Sequence, residues 1–175
     1  MTLELVGGYE MELLSNLPID HMYDHRYDDE RCSSYIQVRI CKDKEILKTV
    51  LLGSDGGGTV VHETSFIIEQ DRVVMCCSDS IFCLSIADLK LLWKTRADSV
   101  TCFEIYKYKD SYIIHGELEI SRLGRDGTIL WQQSGADIFT TLEGGKDDFL
   151  ITENYILATD WDNRKYKFDF DGNVI

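Results

Sequence analysis

Tyr35–Thr49, YIQVRICKDKEILKT, and Ile81–Thr95, IFCLSIADLKLLWKT, lie on one another without a gap at a shift of 46 positions. Apolar residues coincide at alternate places: Ile36 with Phe82, Val38 with Leu84, Ile40 with Ile86, and further on Ile46 with Leu92. Alternation with a period of two marks a strand with one buried face, because successive side chains of an extended chain point to opposite sides. All four pairs are therefore expected to point inward. A shift of 38 carries Leu92-Trp93 onto Leu130-Trp131, and a shift of 45 carries Asp126-Gly127 onto Asp171-Gly172. A unit of about 38 to 46 residues recurring along a chain lies in the range of propellers and arrays.

Each unit divides into strand-sized pieces. In the second they are Ser65–Glu69, Arg72–Ser78, Ile81–Ile86 and Lys90–Thr95; in the third, Cys102–Tyr108, Ser111–Gly116, Glu119–Leu123 and Thr128–Gln132. Asp-Gly between alternating runs, as at Asp126-Gly127, is the strongest short-range hairpin signal. The fourth unit repeats this turn at Asp171-Gly172 and reaches Ile175, one position before the expected tryptophan. The first unit shows its final hairpin clearly, preceded by a candidate strand pair, Leu3–Val6 and Tyr9–Leu14, and a polar stretch, Asp20–Arg31. Outside the first 31 residues no window carries an apolar stripe at helical spacing. The expectation is an all-β chain forming one domain: a small propeller-like array of about four four-stranded antiparallel units, closed ring or open arc. The units are approximately 1–50, 51–97, 98–137 and 138–175.

FCLSIADLKLLW, Phe82–Trp93, resembles the strand-turn-strand of quinoprotein-like (PQQ-type) and WD-type β-propeller repeats, and LEISRLGRDGTILW (Leu118–Trp131) and YKFDFDGNVI (Tyr166–Ile175) are similar. The resemblance is at the level of the blade and implies antiparallel sheets packed face to face around an axis. Ser85 stands where those repeats carry Asp, Leu89 where they carry the turn Gly, and no stacked tryptophan dock is complete in the sequence. A bound quinone is not implied. Trp93 and Trp131 are expected to anchor neighbouring sheets to each other, as large aromatics do in cores.

Composition narrows the function. The chain of 175 residues has 44% hydrophobic and 11% aromatic residues, which excludes a disordered chain. Eighteen basic against 31 acidic side chains give a net charge of −13, and affinity for a phosphate backbone comes from Lys and Arg, so direct nucleic-acid binding is not expected. No run reaches the roughly 18 apolar residues of a membrane helix. None of the six cysteines forms a CxxC, and four lie in apolar strand-like runs, which reads as reduced core thiols. With Glu4, Glu10 and Glu12 early and no basic residue before Arg26, the N-terminus does not read as a secretory signal, and a cytoplasmic location is expected.

No catalytic signature is present, and no cofactor is expected. GxSxG and paired Cys-His motifs are missing, and His115 in YIIHG reads as a strand residue with a satisfied hydrogen bond. GSDGGGT, Gly53–Thr59, lacks the Lys-Ser/Thr of a phosphate loop and reads as a connection between units. Turn aspartates such as Asp169 and Asp171 lack the later bidentate Glu of a calcium loop. The most chemically loaded stretch is DHMYDHRYDDE, Asp20–Glu30. Its His21 and His25, four apart, admit a metal pair on a helical turn, but a zinc site needs further ligands, and a solvated acidic segment is the plainer reading.

Charge is also uneven. Residues 1–31 carry eight acidic and two basic side chains, and residues 137–175 carry nine and four, together eleven of the thirteen excess charges. In a closed ring these ends become neighbours and merge into one acidic face. Such a face attracts and orients a basic partner. The expectation is a non-enzymatic protein-binding module engaging a basic protein, in its most concrete form an immunity protein that masks the basic cleft of a bacterial nuclease toxin. Asp20, Asp24, Asp28, Asp29 and Glu30, with Asp160 and Asp162, would supply charge, and Tyr23 and Tyr27 the aromatic anchors. The alternatives are a structural scaffold or oligomerising module, and a small-ligand or metal-binding enzyme using the axial channel.

Overall fold

The computed structural model describes residues 1–15, 22–141 and 148–175, and every regular element within them is a β-strand. The first sheet holds β1 (Thr2–Leu5), β2 (Tyr9–Ser15), β3 (His25–Tyr27), β4 (Ser34–Lys42) and β5 (Glu45–Ser54), in the order β1-β2-β4-β5-β3. The second runs through β6 (Phe66–Ile68), β7 (Arg72–Cys77), β8 (Ser80–Ser85) and β9 (Leu91–Arg96) in chain order. The third does the same with β10 (Cys102–Tyr108), β11 (Ser111–Gly116), β12 (Glu119–Gly124) and β13 (Ile129–Ser134). The fourth has β14 (Phe149–Ile151), β15 (Ile156–Thr159) and β16 (Lys165–Phe168), with Val174 bridging to Phe168 where an outer strand would begin.

Consecutive sheets stack face to face, and three apolar clusters hold them. Met11, Leu13, Ile36, Val38 and Val50 of the first sheet meet Val73, Met75, Cys77, Phe82 and Leu84 of the second. Val74, Cys76, Ile81 and Cys83 meet Ile105, Tyr112 and Ile114, and Ile113, Ile120 and Phe139 meet Phe149, Ile156, Ala158 and Phe168. Each buried Leu, Ile, Val or Phe contributes roughly 1.5–3 kcal/mol through loss of contact with water. Alternation explains the second sheet: sandwiched between two neighbours, it buries both faces, so Cys76 and Cys77 point opposite ways and are both fully buried. Among the described residues none of the three clusters joins the fourth sheet to the first, and the array is an open arc. The merged acidic face expected of a closed ring is not formed by packing of its ends.

The strand pair of the first sheet forms as its sequence suggests, with Leu3 opposite Met11 and Leu5 opposite Tyr9. Between β2 and β4 the chain leaves the blade plan, returns along the outer edge as β3, and pairs parallel with β5, His25 opposite Val50 and Tyr27 opposite Leu52. Behind β3 the same segment folds over β5 at Gly53, where a Cβ would meet the Cβ of Asp28 at 2.7 Å and Cε1 of Tyr35 at 2.9 Å. A terminal unit of an array needs such a cover on its unstacked side.

One expectation fails in an informative way. Ile46 and Leu92 do not face inward but are 54% and 47% exposed. In each of the first three sheets the last strand in chain order carries one extra residue against its partner. Leu47 is skipped between the pairs Ile40–Lys48 and Cys41–Ile46, Leu92 between Cys83–Trp93 and Leu84–Leu91, and Leu130 between Arg122–Trp131 and Leu123–Ile129. The bulge breaks the alternation on which the inward assignment rested. It also makes Leu47, not Ile46, the counterpart of Leu92.

Downstream of the second and third bulges the tryptophans dock. The Trp93 indole donates to the Arg125 carbonyl at 3.1 Å, and the Trp131 indole to the Phe170 carbonyl at 2.9 Å, in both cases the hairpin turn of the next sheet. Each indole lies against a turn glycine of positive φ, Gly127 (φ 85°) or Gly172 (φ 84°). The docking that looked incomplete in the sequence is therefore made at two junctions. At the first junction Lys48 occupies the tryptophan position, and the opposing turn has Leu89 where the others have glycine. Leu89 is fully buried in the first cluster despite a left-handed φ of 53°.

Candidate functional site

Asp20 and His21 lie outside the described residues, so the metal pair with His25 and that part of the acidic segment are not placed. Among the described residues no group of three or more His, Cys, Asp or Glu is disposed to hold a metal.

The rest of the segment is fixed by its own backbone and ion pairs. Asp24 is exposed, its N–H donates to the Thr49 carbonyl at 2.8 Å, and its carboxylate accepts the Thr49 N–H at 2.7 Å, which starts β3 on the edge of β5. Tyr27 is half-buried against the first core cluster, so it holds the strand down and is not a free anchor. Asp28 pairs with Arg26 at 2.5 Å and is 16% exposed. Asp29 is 70% exposed and reaches across to Lys94 of β9 at 2.5 Å, and Glu30 is exposed beside it. Exposed pairs of this kind contribute roughly 0–1 kcal/mol, so Asp29 keeps most of its solvated charge.

Two surface hollows flank the segment. One is lined by charged residues of both signs, Asp29, Glu30, Asp55, Asp79, Lys94 and Arg96. The other brings Met22, Tyr23 and Asp24 beside Ile46, Leu47 and Lys48 at the outer rim. There Met22 is 85% exposed, and the outward turn of Ile46 and Leu47 at the bulge adds two more apolar side chains. Sequence alternation hid this patch by assigning Ile46 to the core.

Asp160 does not join that surface. It is fully buried in the fourth sheet, where its carboxylate accepts the Arg164 N–H and the Tyr166 hydroxyl at 2.8 Å each, with the Arg164 guanidinium at 3.3 Å. Burial pushes its pKa up, but the hydrogen bonds from Arg164 and Tyr166 outweigh that and hold it below the usual carboxylate range. Its role is to close the turn before β16. Asp162 stays at the surface, paired with Arg164 at 2.7 Å, and two sheets separate it from the 22–30 segment.

A second constellation, which sequence spacing did not mark, lies at the inner edge of the arc. Glu104 on β10 accepts the Thr64 hydroxyl at 2.8 Å and a hydrogen bond from His115 Nδ1 at 2.8 Å. The His115 Nε2 in turn faces the Phe139 carbonyl at 2.8 Å. Both ring nitrogens of His115 are thus engaged, as expected of a strand histidine, and its ring stacks on Phe149 at 4.4 Å. Burial raises the Glu104 pKa, yet the bonds from His115 and Thr64 win and bring it down to about 2. Only the β10–β11 register, which sets Glu104 opposite His115, brings these residues together.

No protein-family model and no curated protein matches the chain. Among solved structures, the computationally designed Ika4 protein aligns with a TM-score of 0.51 at 11% identity, over 70% of this chain and 78% of that one. The designed Ika8 protein aligns at 0.50 and 12%, over 67% of this chain and 37% of its own length. The AfRom2 CNH domain aligns at 0.51 and 12%, over 94% of this chain, which spans about half, 53%, of that domain. At such identities the likeness shows the fold alone: an all-β, propeller-type series of repeated antiparallel sheets.

Proposed function

We propose that the chain is a non-enzymatic protein-binding module that engages a basic partner through the rim around β3. The observation that carries this reading is the apolar patch of Met22, Tyr23, Ile46 and Leu47 beside the exposed carboxylate of Asp24 at one end of β3, with the exposed carboxylates of Asp29 and Glu30 beyond its other end. Apolar and aromatic anchors beside exposed charge are the composition of an interface whose core supplies affinity and whose rim supplies steering and selectivity. A net charge of −13 fits a basic partner. The finer form is an immunity protein covering the basic cleft of a nuclease toxin, with Asp28 as peripheral charge and Asp162, two sheets away, outside the contact.

The test compares proteins cross-linked to the wild type in an extract of the source cells with those cross-linked to Asp24→Lys/Asp29→Lys/Glu30→Lys and to Met22→Ser/Leu47→Ser. A basic protein captured by the wild type and lost by both variants, more weakly held as salt rises, is the expected result. A partner set unchanged by both variants overturns the reading.

A further inference from the structure

Four sheets in series have three joints, so one face of the first sheet and one face of the fourth stay unstacked. Alternation along each strand tells which side chains point there. In the first sheet Leu3, Leu5, Met11 and Leu13 face the second, so Glu4, Glu10 and Glu12 point away from it. Glu4 stands directly opposite Glu10, and both are exposed. Like charges set opposite each other on neighbouring strands destabilise the pair. Arg39, 3.7 Å from Glu12, offsets one of the three carboxylates and leaves two in surplus. The cover over Gly53 lies on the β5 side of this sheet and leaves β1 and β2 bare. In the fourth sheet Phe149, Ile156, Ala158 and Phe168 face the third, so Leu150, Leu157, Lys165 and Lys167 point away from it. Leu150, Leu157 and Lys167 form one row across β14, β15 and β16, and the Lys167 ammonium lies over the Tyr155 ring at 4.8 Å. Leu150 is 44% exposed, and both lysines are exposed and, among the described residues, in no ion pair.

The two bare faces of one chain thus carry opposite charge, and the open arc keeps them apart. A closed propeller holds about 4 to 8 sheets, and two four-sheet arcs joined at both ends lie within that range. We propose that each face is covered by a second copy of this chain: the fourth sheet of one copy stacks on the first sheet of the other, Lys165 and Lys167 against Glu4 and Glu10, with Leu150 and Leu157 beneath the contact, and two copies close one ring. Such a contact joins unlike surfaces and is self-limiting only because the ring closes. Complementary charge sets which face meets which, since a first sheet against a first sheet brings carboxylates together. A surface of two leucines and a few charges is small beside the apolar joints inside the arc, so the pairing is weak and the dilute chain is the single arc. The rim around β3 stays free in the ring, so a basic partner there and the pairing of copies stand or fall separately.

Sedimentation of the full chain over a range of concentrations, beside charge-reversed variants, tests this. The wild type is expected to pass from one copy to two between about 1 and 100 μM, as a weak contact does, and to stop there. Glu4→Lys/Glu10→Lys and Lys165→Glu/Lys167→Glu each bring like charges together and are each expected to weaken self-pairing at least about tenfold. Mixed in equal amounts, the two variants are complementary again at both contacts, and the two-copy species is expected to return. Leu150→Asp leaves the first sheet untouched and should also hold the chain as a single copy, so the test survives if the Glu4/Glu10 variant misfolds. A wild type that remains a single copy, assemblies longer than two copies, wild-type pairing in either charge variant or in Leu150→Asp, or no recovery in a mixture of variants whose circular dichroism matches the wild type overturns the proposal.

Discussion

Replacing Gly127 by alanine puts a methyl group where the Trp93 indole already lies. A Cβ there would approach Trp93 Cδ2 at 2.6 Å, Cε3 at 2.7 Å and Thr95 Oγ1 at 2.9 Å, on a backbone with φ of 85°. Two costs add. A left-handed conformation costs a residue with a Cβ roughly 1–2 kcal/mol. Forcing a rigid ring pinned by its hydrogen bond to Arg125 to move costs about 1–3 kcal/mol more, as overpacking does. Gly8 supplies the control, because its φ is 75° and nothing lies within 4 Å of its would-be Cβ. Gly8→Ala should therefore show the backbone cost alone. In urea unfolding followed by circular dichroism, Gly127→Ala is expected to lose about 2–5 kcal/mol and Gly8→Ala about 1–2 kcal/mol. For a chain of this size that difference corresponds to a further fall in melting temperature of roughly 2–4 °C per kcal/mol. In a Trp93→Ala background the excess should vanish, leaving a coupling of about 1–3 kcal/mol between the two sites. If Gly127→Ala is no more harmful than Gly8→Ala, or if its cost is the same without the indole, the docking account is wrong.

Other measurements bear on other parts of the structure. Asp160→Asn should cost about 1–3 kcal/mol in the same unfolding assay, because it disturbs a buried acceptor, whereas Asp162→Asn at the surface should change stability by less than about 0.5 kcal/mol. Glu104, with its pKa lowered to about 2, stabilises the fold above the unfolded carboxyl value and loses that contribution as pH falls from about 4.5 to about 2. Across this window the wild type should lose on the order of 3 kcal/mol more unfolding free energy than Glu104→Gln, which should be the less stable of the two at neutral pH. Titration with a thiol reagent should find one slowly reacting thiol, Cys32, in the native protein and six in denaturant. The other five are buried, with burial pushing Cys77 up to about 12 and Cys83 to about 11.

The second and third sheets were legible almost to the residue, since the apolar run of Arg72–Ser78 and the stretch Cys102–Tyr108 are each bounded by turn-formers. The first sheet was legible in its strand pair and its final hairpin but not in β3. A three-residue edge strand such as His25–Tyr27 owes its place to β5, and nothing in its own pattern announces that. The bulges were invisible for a related reason: in an unbroken apolar run such as Leu91–Trp93 the sequence does not mark which leucine is extra, and only the pairing with β8 ejects Leu92. Leu89 looked like a defect of the repeat because its burial in the cluster between the first two sheets is set by residues distant in sequence. Of the candidate surface, the charges at Asp24, Asp29 and Glu30 were readable, whereas Asp160 could not be told from a solvated turn residue without Tyr166 and Arg164 beside it. The Thr64–Glu104–His115 chain joins residues up to 51 positions apart and had no local signal.

The arc's three apolar joints connect four sheets in series. Each inner sheet is clamped from two sides and each outer one from a single side, so cooperative opening should begin at the extremities and travel inward, one module at a time. Amide protons of β7, β8, β11 and β12 would then outlast those of β2 and β15 in exchange with heavy water. This is the hierarchy of a stack, in contrast to the uniform protection of a closed wheel, where every spoke has the same number of neighbours.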